Sequence, residues 1–379
     1  MPVILDDKID GRNCIIRIYD YRMFEKGMLM NDALIEFYLS YMHSKVSDED
    51  KDKAYIFSTH FYSTLTNLGN MSAIDPSVSR AKNRHDKVKK WTKNLDVFKK
   101  DFIFVPVNKY KHWFLEVICF PYLSGKVNIQ NGIPSNEPDN DTGRYKVPRL
   151  PRILDSMKLI RMPCILIFDS YSRGTQSAVV SATLREWLQH EYCNKYNGQQ
   201  KDLKFMKVCP VKVPQQPNNT DCGLFVMHYF EMFYSRPIID YTFPIHHLEN
   251  WFHTDDVVKN EKKRKEVYNI LKERIEKNGL PDGIELPVLH FNDHIEESGD
   301  IRNMNNLFEK VDKQEEKEEK DEYDEEEEEQ QQQEKYNDQK YTFELDFGNE
   351  DNCSSSSTSS DNVEEEDFDE KLRYNIRIW

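Results

Sequence analysis

The sequence has no C-x-x-C pair, no unbroken run of about 18 apolar residues and no positively charged leader ahead of an apolar stretch. Each absence removes a class of protein. The seven cysteines (Cys14, Cys119, Cys164, Cys193, Cys209, Cys222 and Cys353) form an odd set. Without paired spacing they argue against a disulfide framework or structural zinc and for a reducing compartment. With neither leader nor apolar span, the expectation is a soluble protein of the nucleus or cytoplasm. No repeat recurs at a fixed period.

Charge is unevenly spread. The chain carries −15 over 379 residues, yet Asp312 to Glu370 holds 26 acidic and 5 basic residues, net −21. Met1 to Val311 holds 44 basic and 41 acidic residues, net +3. A near-neutral folded part argues against a dedicated nucleic-acid surface. Within the acidic part, Glu325–Gln333 and the serine-rich Ser354–Ser360 offer too few apolar side chains to form a core. The expected organisation is one folded domain, residues 1–280, and an acidic, mostly disordered tail, residues 281–379.

Apolar patterning predicts extended segments over Val3–Leu5 and Cys14–Tyr19 around an Asp-Gly turn, then a helix capped at Asn31-Asp32 that runs to about Lys45. Gly69 to Asp75 reads as a loop, and Arg80 to Lys93 as a basic, solvated helix face. Phe102–Val107 and His112–Phe120 form a hairpin around a turn at Asn108–Lys111. A polar surface insertion occupies about residues 122–162. Beyond it lie a buried strand, Cys164–Phe168, ending at Asp169, a helix over Gln176–Tyr192 and a strand over Leu203–Val213. Asp256 to Lys277 reads as one charged helix closed by Gly279, with Lys262–Lys265 on its solvated face.

The chemistry gathers at Cys222, where a loop hands over to an apolar helix. Asp221 is a suitable N-cap, which puts Cys222 in the first helical turn. There, unpaired N–H groups and the positive helix end favour a thiolate and can receive an oxyanion, and Gly223 leaves space beside the sulfur. The plain alternative is a small core residue, the common fate of an intracellular cysteine. His112 begins one strand and Asp169 ends another. If those strands pair antiparallel, the imidazole and the carboxylate become neighbours. Asp169 then fixes the imidazole tautomer while the other ring nitrogen takes the thiol proton, and Gln216 can donate its amide to the oxyanion. Taken singly, each of these has a duller role as a turn, cap or packing residue. The remaining histidines and cysteines show no ligand spacing, so no metal is expected.

His112-Trp113, a lone Asp169 after an apolar strand, Pro214-Gln-Gln216 and Asp221-Cys-Gly223 together resemble the ubiquitin-like-protein proteases, the sentrin (SUMO)-specific cysteine protease family. Phe102–Asn108, Val117–Pro121 and Pro163–Asp169 are similar to the divergent branch that edits poly-SUMO chains. The resemblance implies an α+β, adenain-like fold, with a central mixed sheet flanked by helices. It implies Cys222 as nucleophile, His112 as base, Asp169 as orienter and Gln216 as oxyanion donor, with no cofactor. It further implies that Trp113 roofs a tunnel for the modifier's Gly-Gly tail and that Asp32 contacts the modifier. Only residues lacking Cβ pass beneath an indole, so the tunnel is a filter for diglycine ends. In the family an aromatic residue precedes Leu-Asn-Asp; this chain reads Leu29-Met30-Asn31-Asp32, so the smaller Leu29 supplies the tunnel's second wall.

The partners expected are SUMO and SUMO-conjugated proteins, with neither nucleic acid nor membrane among them, and the chain is expected to be a monomer. Pro2–Asp7 also has the form of a SUMO-interacting motif, although an ordinary edge strand explains it equally well. Two other readings stay open: the same chemistry directed at ubiquitin or the cullin-modifying ubiquitin-like protein, and a noncatalytic SUMO-binding scaffold.

Overall fold

Two strands open the chain, β1 (Val3–Ile9) and β2 (Arg12–Arg17), paired antiparallel across Asp10-Gly11. Both turn residues have positive φ, 52° and 76°, which a tight two-residue hairpin turn requires and which aspartate and glycine tolerate. Ile4, Leu5, Ile9, Cys14 and Ile16 are buried, so Pro2–Asp7 is one arm of a packed hairpin. This computed structural model describes residues 2–67, 78–135, 159–171, 177–203, 206–245, 248–289 and 291. The expected Gly69–Asp75 loop, most of the 122–162 insertion and nearly all of the acidic tail lie outside them.

Helix α1 (Ile18–Arg22) is followed by α2 (Asp32–Lys45), whose N-cap Asn31 side chain accepts from Leu34 N at 3.2 Å. Leu34, Ile35, Phe37 and Tyr38 of α2 face the interior. Next come α3 (Asp48–Lys53), β3 (Ala54–Ile56), α4 (His60–Thr66) and α5 (Arg80–Val88). The chain continues with β4 (Phe102–Lys109), β5 (His112–Cys119), β6 (Val127–Asn128), β7 (Ile160–Arg161) and β8 (Cys164–Phe168). Helix α6 (Ser177–Lys195), β9 (Lys207–Pro210) and α7 (Cys222–Ser235) complete the central part.

The main sheet has the order β3-β4-β5-β8-β9. Its inner pairs, β4–β5 and β5–β8, are antiparallel, whereas β3–β4 and β8–β9 are parallel. Both faces are covered, and side-chain alternation decides which residue meets which helix. Phe114 and Ile118 of β5 join Val180, Leu184 and Trp187 of α6. On the other face Phe104 packs on Phe230 and Phe233 of α7, and Phe168 on Tyr229 and Phe233. Each such buried side chain contributes about 1.5–3 kcal/mol, which makes the β4-β5-β8 frame a firm support for residues at its ends. Glu116 lies on the α6 face and is fully buried; its carboxylate accepts from Ser181 Oγ at 2.9 and 3.0 Å. Burial pushes that carboxyl well above its ordinary range.

Three sequence expectations are corrected. Among the described residues, the strand predicted over Leu203–Val213 is limited to Lys207–Pro210, and prolines at 210 and 214 withhold ladder donors. The single helix predicted over Asp256–Lys277 is broken into α8 (Asp255–Val258), a 3₁₀ turn and α9 (Lys262–Asn278). Asn260 and Glu261 both take left-handed φ, 53° and 55°, which interrupts the helical ladder. Beyond the break, Lys263 and Arg264 are only 1% and 2% exposed, so Lys262–Lys265 is not a uniformly solvated run. Gly279 does close the helix, with φ 77°.

The base of the insertion is anchored: β6 pairs with β7, and Ile160 exchanges hydrogen bonds with Tyr241 N and Asp240 Oδ1 at 2.9 and 3.1 Å. The compact unit spans Met1–Asp293. Among the described residues, no helix is long and apolar enough to cross a membrane.

Candidate active site

Three element ends converge. The turn between β4 and β5 places Tyr110 and Lys111 at positive φ, 53° and 58°, and delivers His112 at the first position of β5. Strand β8 stops at Phe168, so Asp169 follows at its end. Because β5 and β8 are antiparallel, with Leu115 opposite Phe168, the start of one lies beside the end of the other. His112 Nε2–H donates to Asp169 Oδ1 at 2.7 Å. The same carboxylate oxygen accepts from Tyr171 N at 2.9 Å, and the Tyr171 ring centroid lies 6.0 Å from the imidazole.

With Nε2 committed to the carboxylate, Nδ1 is the ring nitrogen left to interact with Cys222, the first residue of α7. Burial of the imidazole works to lower its pKa. Hydrogen bonds to Asp169 and Cys222, and the negative charges of both, outweigh burial and leave it raised at about 9. Such an imidazole is charged at neutral pH. Cys222 itself is 1% exposed, so solvent reaches the sulfur only through a narrow approach.

Gln216 is held on three sides. Its N–H donates to Ser170 O at 2.9 Å, its Oε1 accepts from Ser170 Oγ at 2.6 Å, and its Nε2 donates to Asn218 O at 2.6 Å. An amide nitrogen carries two N–H groups, and the Asn218 carbonyl takes one of them. Ser170, Tyr171, Gln216 and Asn218 line a cleft of ≈ 360 Å³ beside the site.

Trp113 is 2% exposed, and its Nε1 donates to Met30 O at 2.9 Å, so indole and Met30 are joined edge to backbone. Leu29, next in line, is half-buried. Gly223 does not leave open space as the sequence reading expects. A Cβ there would lie 2.7 Å from Met30 Cβ, so the missing side chain is what lets the Met30 segment close over the helix start. Asp32 stands apart from the triad, at the first position of α2, with its side chain 43% exposed and 3.9 Å from His60 Nδ1.

Sequence reasoning missed four contributors: Ser170, Asn218, Met30 and Arg264. Asn218 had a local signal, since Asn-Asn-Thr-Asp is turn-forming, and its Oδ1 accepts from Thr220 N and Asp221 N. Arg264 had none; it is one cation in a charged helix, and its partners are 43 or more residues away.

A thiol at a helix start, an imidazole and a carboxylate that orients it form the set used by cysteine peptidases. Residues 28–275 match the Ulp1 protease family, C-terminal catalytic domain, and the chain belongs to that family. It is 35% identical over 267 residues to Sentrin-specific protease 7 of Homo sapiens, covering 62% of this chain and 24% of that protein. To the Probable ubiquitin-like-specific protease 2B of Arabidopsis thaliana it is 31% identical over 241 residues, covering 62% and 23%. The chain thus spans about a quarter of the length of these curated relatives. A solved structure described as "Crystal structure of the de-sumoylating protease" superposes with a TM-score of 0.51 at 24% identity, over 73% of this chain and 93% of that one. That likeness bears on the fold, and the expected α+β architecture, a mixed sheet flanked by helices, is borne out.

Proposed function

We propose that this chain is a cysteine isopeptidase that removes SUMO from lysines of target proteins, including lysines within poly-SUMO chains. One observation carries the reading: a single imidazole, His112, is bonded to the Asp169 carboxylate at 2.7 Å and is influenced by Cys222, the first residue of α7. Relatives named as sentrin-specific proteases supply the choice of modifier.

In this reading the Cys222 thiolate attacks the carbonyl carbon of the modifier's C-terminal glycine. The carbonyl oxygen gains negative charge, and the second Gln216 amide N–H and the Cys222 backbone N–H receive it. The imidazolium of His112 gives its proton to the lysine ε-nitrogen, the C–N bond breaks and a thioester remains. A water then attacks the thioester as His112 takes its proton; the C–S bond breaks, and the modifier leaves as its C-terminal acid. Asp169 keeps the imidazole in one tautomer and supports its charge throughout.

Trp113 and Leu29 are proposed as the roof and wall of the diglycine tunnel, and Asp32, exposed on α2, as a modifier contact. The catalytic domain is proposed as residues 1–280, with its insertion at 122–162 and the acidic tail at 281–379. Free cysteines among the described residues fit a reducing compartment, nucleus or cytoplasm.

The test is turnover. The purified chain is expected to cleave a SUMO–lysine isopeptide conjugate, and Cys222→Ala to lower the rate by at least about 10⁴-fold. Equal rates for the two proteins would refute the assignment of Cys222.

A further inference from the structure

Asp221 occupies the N-cap of α7, yet its carboxylate makes no hydrogen bond to the helix start. An aspartate in that position ordinarily accepts from the N–H two or three residues on. Here both oxygens are engaged elsewhere. Oδ1 accepts from Arg264 Nη2 at 3.0 Å, and Oδ2 accepts from Asn218 Nδ2 at 2.8 Å. Arg264 is itself fixed: its fork donates to the carbonyls of Met23 at 2.8 Å, Glu25 at 3.3 Å and Met28 at 2.9 Å. Three backbone acceptors from the segment that leads into Met30 hold the guanidinium, which in turn holds Asp221.

The consequence falls on the reacting end of the helix. The first helical hydrogen bond runs from Phe225 N to Asp221 O at 3.0 Å. The N–H groups of Cys222, Gly223 and Leu224 therefore have no partner within the helix. A thiolate and a developing oxyanion draw on those same donors and on the positive helix end. A carboxylate folded over to cap the helix would compete for them and set a second negative charge beside the sulfur.

We propose that Arg264 is a positioning residue that holds the Asp221 carboxylate away from the helix start, keeping the donors around Cys222 open to the reacting carbonyl oxygen. The proposal rests on the reading of Cys222 as the nucleophile. It accounts for a buried cation on a surface-like helix and for an N-cap aspartate that does not cap. Asn218 is the second tether of the same carboxylate.

The test uses the full chain and SUMO bearing a C-terminal aminocoumarin amide, with circular dichroism and melting temperature recorded for each variant. Arg264→Gln is expected to lower kcat about 100-fold, the size of losing one oxyanion donor, with a smaller change in KM. Adding Asp221→Ala is expected to raise kcat at least 10-fold over Arg264→Gln alone, since alanine cannot cap. A residue that merely supports the fold would move the melting temperature, and deleting its partner would not restore kcat. Asn218→Ala, on a loop, offers the same comparison should Arg264→Gln not fold: a several-fold fall in kcat, recovered by Asp221→Ala. A folded Arg264→Gln protein with a near wild-type kcat, or double variants no faster than their parents, would overturn the proposal. A wild-type protein that fails to release aminocoumarin would instead overturn the functional reading beneath it.

Discussion

Replacing Asp169 by Asn tests the electrostatic core of the site. His112 stands at about 9 against an ordinary 6.5, a preference for the imidazolium of about 3 kcal/mol after burial has taken its share. The Asp169 carboxylate at 2.7 Å is one of two supports of that preference; the Cys222 sulfur is the other. Asparagine preserves the shape and removes the charge, and its amide can stabilise the wrong imidazole tautomer. Loss of a carboxylate orienter in such a triad costs about 10⁴-fold in kcat. In a kcat/KM profile from pH 6 to 10, the wild-type upper limb is expected near 9, because above that pH His112 has no proton to give the leaving amine. In Asp169→Asn that limb is expected to move towards neutrality and the plateau to fall by about 10²–10⁴-fold. An unmoved limb with less than a tenfold loss would show that Asp169 neither charges nor orients the imidazole.

Other consequences follow from the same geometry. Alkylating Cys222 removes the second support, so the His112 titration followed by nitrogen NMR should fall from about 9; an unchanged midpoint would mean that the sulfur does not sense the ring. The raised His112 pKa also stabilises the fold below pH 6.5, a contribution lost as pH rises through about 9. His112→Gln should therefore flatten stability across that window in denaturant titrations. Gly223→Ala forces Met30 aside by putting a Cβ 2.7 Å from its own, and should cost at least tenfold in kcat/KM while the protein remains folded; wild-type kinetics would mean the Met30 segment is not a wall of the tunnel. Glu116→Gln removes a buried carboxyl whose raised pKa makes the wild type lose stability as pH rises above the ordinary carboxylate range. The variant's gain in melting temperature should grow from pH 5 to pH 8, and a pH-independent difference would contradict a Glu116 carboxyl raised by burial.

The parts legible in the sequence are those governed by short-range rules. Alternation and turn chemistry located β4, β5 and β8; the antiparallel pairing of β5 with β8 entered as the condition for His112 to meet Asp169, and the register meets it. The cap at Asn31 and the stop at Gly279 were likewise local. What escaped was set by distant partners. The pattern Asp256–Lys277 is helical throughout, yet the chain breaks at left-handed Asn260-Glu261, and just beyond the break Lys263 meets Glu231 and Arg264 meets Asp221, partners that no local pattern announces. Asp221 has the local profile of a capping residue, and a guanidinium 43 positions later overrides it. Gly223 looked like free space beside a sulfur because nothing nearby in the sequence announces Met30. The insertion's centre and nearly all of the acidic tail fall outside the described residues.

The most direct measurement is covalent capture. The wild-type chain is incubated with SUMO, ubiquitin and the cullin-modifying ubiquitin-like protein, each carrying a C-terminal electrophile, and the adducts are mapped by peptide mass. A SUMO adduct on Cys222, absent in His112→Ala and with little labelling by the other two modifiers, is the result expected. Labelling of a different cysteine, or of Cys222 by ubiquitin or the cullin modifier in preference to SUMO, would contradict it.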